Sequence, residues 1–90
     1  MSHVTHVIIR GKVQGVSFRA WAVREAANRG VDGWVRNRED GGVEVLLAGE
    51  PEAVKSIVAA CRKGPNLAIV TDVIELPTDE KPDSGFYIRV

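Results

Sequence analysis

The first apolar stretch, Val7-Ile8-Ile9, is unbroken and β-branched, and Gly11 follows it, so a strand is predicted over Val7–Arg10. From Phe18 the period changes. Phe18, Trp21, Ala22 and Ala26, with Val23 and Ala27 beside them, recur at helical spacing up to Gly30, which predicts a helix over Phe18–Arg29 with an apolar face for a sheet. Gly33–Asn37 and Val43–Leu47 read as strands on either side of Arg38-Glu39-Asp40-Gly41-Gly42, where Asp-Gly signals a hairpin. In the second of these, Val43, Val45 and Leu47 alternate with Glu44 and Leu46, so one face should be buried and the other only partly. Val54, Ile57, Val58 and Cys61 fall at i, i+3, i+4 and i+7. They predict a second helix from Pro51 to about Lys63, with Gly64-Pro65 as its stop. Ala68–Leu76 and Phe86–Val90 complete the strands, separated by the polar Pro77–Gly85 loop.

The order is thus β-α-β-β-α-β with a short closing strand, and each half is a strand, helix, strand unit. That pattern predicts an α+β, two-layer sandwich of the ferredoxin-like kind, with both helices packed on one face of a largely antiparallel sheet. Ninety residues with 44% apolar content support one small domain over 1–90. No apolar run is long enough to cross a membrane, and Met1-Ser2-His3-Val4-Thr5-His6 leads into a strand without a leader-like pattern, so a soluble, unprocessed protein is expected, with a monomer as the default. Cys61 is the only cysteine, which excludes an intramolecular disulfide and a cysteine metal site and fits the cytoplasm. On the apolar stripe of the second helix it should be an inert buried thiol. His3 and His6 are expected in a frayed N-terminus without a role.

Charge sharpens the picture. The net charge is zero, yet Arg10, Lys12, Arg19, Arg24, Arg29, Arg36 and Arg38 face only Glu25 and Asp32 in the first part, leaving that part at plus five and the rest at minus five. A basic first part would concentrate small anions, while the neutral total argues against general nucleic-acid affinity. An RNA-recognition surface also needs aromatics on the central strands, and Val7–Arg10 and Val43–Leu47 have none.

The stretch Gly11-Lys12-Val13-Gln14-Gly15-Val16-Ser17-Phe18-Arg19 joins the first strand to the first helix. Its two glycines allow backbone conformations in which successive N–H groups turn toward one point, and the helix start adds its own unpaired N–H groups and positive dipole end. Such a loop suits an oxyanion. It lacks the Gly-Lys followed by Ser or Thr of a nucleotide P-loop. Arg19 breaks a local rule, because a cation is disfavoured in a first helical turn. Alone it would read as a surface arginine, and beside this loop it reads as a ligand-binding one. Asn37, where the second strand enters the hairpin, alone would read as a turn residue.

Gly11, Val13-Gln14-Gly15-Val16, Phe18-Arg19, then Gly33-Trp34-Val35-Arg36-Asn37, Asp40-Gly41 and Val43 resemble the two signature segments of the acylphosphatase family. The similarity continues through Gly49, the second helix, Gly64-Pro65, Val70, Val73, Phe86 and Arg89. The resemblance implies a small hydrolase on a ferredoxin-like sandwich that splits acyl phosphates to carboxylate and inorganic phosphate, with no metal and no organic cofactor. It implies that Arg19 holds the substrate phosphate together with the backbone N–H groups of Gln14, Gly15, Val16, Ser17 and Phe18, and that Asn37 orients the attacking water. The alternative is a non-catalytic module of this fold that binds a phosphate-bearing ligand, because ferredoxin-like sandwiches host many functions.

Overall fold

The computed structural model describes residues 3–90; Met1 and Ser2, included in the expected 1–90 domain, lie outside the described residues. Seven elements follow in the order β1 (His3–Lys12), α1 (Phe18–Arg29), β2 (Asp32–Asn37), β3 (Val43–Gly49), α2 (Pro51–Cys61), β4 (Ile69–Leu76) and β5 (Phe86–Ile88). The strands form a five-stranded sheet in the order β4-β1-β3-β2-β5. β3 pairs antiparallel with β1 and β2, β4 antiparallel with β1, and β5 parallel with β2. Both helices lie on one face, so the ferredoxin-like α+β sandwich is what the chain adopts.

Period-two patterning decides which side chains meet the helices. Val7 and Ile9 on β1, Val35 on β2 and Val43, Val45 and Leu47 on β3 bury completely or nearly so against Phe18, Ala22 and Ala26 of α1 and Val54, Ile57 and Cys61 of α2. Burying those side chains supplies the main driving force, at about 25 cal/mol per Å² of apolar surface removed from water. Cys61 is among the buried residues, and burial pushes its thiol up to about 12, which leaves it protonated and unreactive.

Three expectations need correction. β3 is buried on both faces, with Glu44, Leu46 and Ala48 as enclosed as their neighbours. The cause is topological: β4 and β5 sit at opposite edges, so the 77–85 connection must cross the sheet, and the helices already occupy one face. Four strand spacings amount to about 19 Å, within the reach of that segment. It crosses the open face, where the Trp34 indole N–H donates to Glu80 at 2.9 Å, and Lys81 and Pro82 line a cleft with Val4 and Ala48.

His6 is likewise not frayed. β1 begins at His3, and the half-buried His6 side chain pairs with Glu44 across the sheet. Glu44 also receives Arg36 at 2.6 Å. Burial alone would raise this carboxyl, but the hydrogen bonds from Arg36 and His6 overcome it and hold the group below its usual 4.5.

Gly11 is the third correction, since it belongs to β1 and not to an anion loop. It sits at a register shift in the β1–β4 pairing, at φ 124°, where a Cβ would lie 2.1 Å from the Ile69 carbonyl oxygen. Its lack of a side chain serves strand contact. Smaller differences concern element ends: α2 stops at Cys61, two residues short of Lys63, and β5 stops at Ile88. Among the described residues, no helix is long and apolar enough to cross a membrane.

Candidate active site

The passage from β1 to α1 takes five residues, Val13–Ser17. Val13 and Val16 send their side chains into the core and pin the loop at two points. Between and after them the backbone turns left-handed, at Gly15 (φ 73°) and again at Ser17 (φ 64°), the one non-glycine residue with positive φ among the described residues. Ser17 is also the residue that precedes α1, and its hydroxyl makes no capping bond. The first helical N–H to find a backbone acceptor is that of Trp21, which donates to Ser17 O at 3.0 Å. Among the described residues the N–H groups of Gln14 to Ala20 have no such partner. They leave a row of unpaired donors at the positive end of a helix dipole.

Arg19 stands in that first turn, exposed, with no acidic residue in the turn and no ion pair among the described residues. The two arginines that flank Asn37 in sequence are occupied. Arg36 is held by Glu44, and Arg38 binds Asp40 at 3.1 Å. The hydrogen bond from Arg38, then that from the Gly42 N–H, keeps the Asp40 carboxyl below its usual range.

The hairpin that follows β2 brings Asn37 to the same place. Arg38 N–H donates to Gly42 O at 2.8 Å, Gly41 N–H to Arg38 O at 3.2 Å and Gly42 N–H to Asp40 Oδ1 at 3.0 Å, so the turn is closed from within. Asn37, the last residue of β2, is left exposed at its mouth.

Gly15, Ser17, Phe18, Arg19 and Asn37 line one cleft of about 420 Å³, completed by Val13, Ala20 and Ile88. Of the seven residues expected at the site, five therefore share this cleft, Arg19 and Asn37 among them, and its lining holds no acidic residue. The other two turn elsewhere. Val16 buries its side chain, and the Gln14 side chain points to the hairpin, donating to Arg38 O at 2.7 Å and to Gly42 O at 2.8 Å. Their backbone N–H groups remain in the loop. Ile88 is an addition that nothing in its local sequence announces, because it enters the cleft only through the parallel pairing of β5 with β2. The cleft combines a cation, free N–H donors and a neutral amide on its rim, a set suited to an oxyanion and a water molecule.

Residues 5–88 match the family model described as Acylphosphatase. The chain is 48% identical over 84 residues to an acylphosphatase of Acidiphilium cryptum, covering 93% of this chain and 92% of that protein. It is 55% identical over 74 residues to an acylphosphatase of Nitrobacter winogradskyi, covering 82% and 75%. Among solved structures, that of acylphosphatase from Bacillus subtilis superposes over 100% of both chains with a TM-score of 0.91 and 36% identity.

Proposed function

Because the chain belongs to the acylphosphatase family, we propose that its cleft hydrolyses acyl phosphates by holding the phosphate on Arg19 and the loop N–H groups of Gln14 to Phe18 while Asn37 presents the water. The observation that supports this assignment is the meeting of Arg19, at the start of α1, and Asn37, at the end of β2, on the walls of one cleft.

An acyl phosphate carries a good leaving group, so catalysis needs positioning and charge stabilisation more than covalent chemistry. The water oxygen bonds to phosphorus as the bond from phosphorus to the acyl oxygen breaks. The carboxylate leaves with that electron pair, and a non-bridging phosphate oxygen takes the water's proton. Negative charge on the equatorial oxygens is greatest in the transition state, where fixed N–H groups and a guanidinium gain most over their interaction with bound substrate. Arg19 is a fork-shaped donor with no competing carboxylate in the cleft. The Asn37 amide both donates and accepts, so it can orient water without repelling phosphate as a carboxylate would. The buried free thiol of Cys61 suits the reducing cytoplasm.

Phosphate release from benzoyl phosphate or acetyl phosphate tests the reading. The folded protein is expected to release phosphate far above the spontaneous rate, EDTA is expected to leave that rate unchanged, and Arg19→Ala is expected to lose at least about 10³-fold in kcat/KM. Full activity in Arg19→Ala would remove the guanidinium from the mechanism.

A further inference from the structure

We propose that the Gln14 side chain is a positioning residue for hydrolysis, a latch that sets where the water held by Asn37 stands relative to the bound phosphate. The inference rests on the roles given above to Arg19 and Asn37.

The half-buried Gln14 amide spends both of its hydrogens on the hairpin, one on Arg38 O at 2.7 Å and one on Gly42 O at 2.8 Å. The Arg38 carbonyl belongs to the residue after Asn37, and Gly42 lies on the opposite arm, where its oxygen also accepts the Arg38 N–H at 2.8 Å. One side chain thus grips both arms of the turn. A hydroxyl has one hydrogen to give and a carboxylate none, so the pair of bonds requires an amide of this length or a cation.

The hairpin does not need Gln14 in order to close, because Asp40 and the Arg38–Gly42 pair close it from within. What the latch fixes is the hairpin's place against the loop. Arg19 and the loop N–H groups follow β1, whereas Asn37 stands at the turn of the hairpin; phosphate and water are therefore held by two segments that the β1–β3 ladder joins only as far as Ile9 and Val43. Attack demands reacting atoms about 3–3.5 Å apart in line, and a displacement of about 1 Å can cost 10²-fold. Beyond the end of that ladder, the Gln14 side-chain hydrogen bonds, over 24 and 28 residues of sequence, tie the loop to the turn. Cutting them should leave phosphate binding whole and misplace the water.

The test is a double-mutant cycle of Gln14→Met and Asn37→Ala on benzoyl phosphate, with inorganic phosphate as competitive inhibitor. Gln14→Met is expected to lower kcat roughly 10- to 100-fold while KM and the phosphate inhibition constant stay within about twofold. In the Asn37→Ala background the same change is expected to alter kcat by less than about twofold, because no positioned water is left to misplace. Equal losses in both backgrounds, or a phosphate inhibition constant that rises as kcat falls, overturn the latch. Wild-type turnover in Asn37→Ala overturns the water assignment itself, and the latch with it. Should Gln14→Met fail to fold, Gln14→Glu, which keeps the length and has no donor at neutral pH, takes its place; failure of both to fold assigns the amide to stability alone and also overturns the proposal.

Discussion

The chain passes from strand to helix twice on the same face of the sheet, and the two passages are built differently. From β3 to α2 one residue suffices. Glu50 takes an ordinary extended conformation (φ −55°, ψ 134°), Pro51 opens the helix and Glu52 sits in its first turn. Proline is preorganised for that position and the carboxylate complements the dipole. From β1 to α1 the chain uses five residues, enters the helix through a left-handed serine and places Arg19 where Glu52 stands in the other helix's first turn. Neither start has a side-chain capping bond. The contrast is therefore in backbone strain and in the sign of charge. Strain and an unneutralised cation persist where the surrounding structure enforces them, and here both converge on the cleft.

Exchanging the charges breaks the contrast most directly. Arg19→Glu would give α1 a first turn like that of α2. Acylphosphatase activity is expected to fall by more than about 10³-fold, because the phosphate would meet a carboxylate in place of the guanidinium. Stability in urea is expected to rise by about 0.5–1 kcal/mol. The mirror change, Glu52→Arg, is expected to lower stability by a similar amount and leave activity unaltered, since α2 contributes nothing to the cleft lining. If Arg19→Glu destabilised the fold, the arginine would be serving structure, and its misfit to the dipole would carry no functional meaning.

The strand ends offer a second, smaller test. At the end of β1, a Cβ on Gly11 would lie 2.1 Å from Ile69 O and 2.9 Å from Thr71 N, and its φ of 124° excludes most side chains. At the end of β3, a Cβ on Gly49 meets nothing nearer than Val31 Cγ2 at 3.5 Å. Gly11→Ala is therefore expected to cost on the order of 3 kcal/mol in urea unfolding followed by tryptophan fluorescence. Gly49→Ala is expected to stay within about 0.5 kcal/mol. Equal midpoints for the two variants would mean that the β1–β4 contact yields easily and that the loop above it is not rigidly footed.

What the sequence made legible follows from how local each signal is. The bounds of α1 came out as Phe18–Arg29 because its apolar spacing, its start after the Gly-rich loop and Gly30 at its end all lie within a few turns. Arg19 and Asn37 were readable because each violates or satisfies a rule at its own position, and the family resemblance joined them. The role of Gly11 was misjudged because its constraint comes from Ile69 O, far along the chain on an edge strand. His6 was misplaced for the same reason: its partner Glu44 is set by strand register, and register is not written in either strand alone. Ile88 and the Gln14 latch depend on which edges β5 and the hairpin reach, a property of the whole sheet order.

The smallest effect separates strain from charge. Ser17 holds φ 64°, ψ 24°, a region that costs a residue with a Cβ roughly 1 kcal/mol. Glycine holds it freely but adds entropy to the unfolded chain, about 0.4–1 kcal/mol, so the two terms nearly offset. Ser17→Gly is thus expected to be neutral or stabilising by up to about 0.5 kcal/mol, with kcat/KM within about threefold, because the N–H groups keep their directions. Glu50, at the matching position before α2, sits at negative φ and gains nothing from glycine's freedom. Glu50→Gly therefore relieves no strain, meets the entropic cost, gives up a carboxylate beside the α2 dipole, and is expected to lose about 0.5–1 kcal/mol. The same substitution at two matching positions should differ in sign or nearly so, and paired urea midpoints read that difference without any model of the loop. A loss at Ser17 equal to that at Glu50 would show that the left-handed turn carries no strain, leaving the charge of Arg19 as the sole distinction between the two passages.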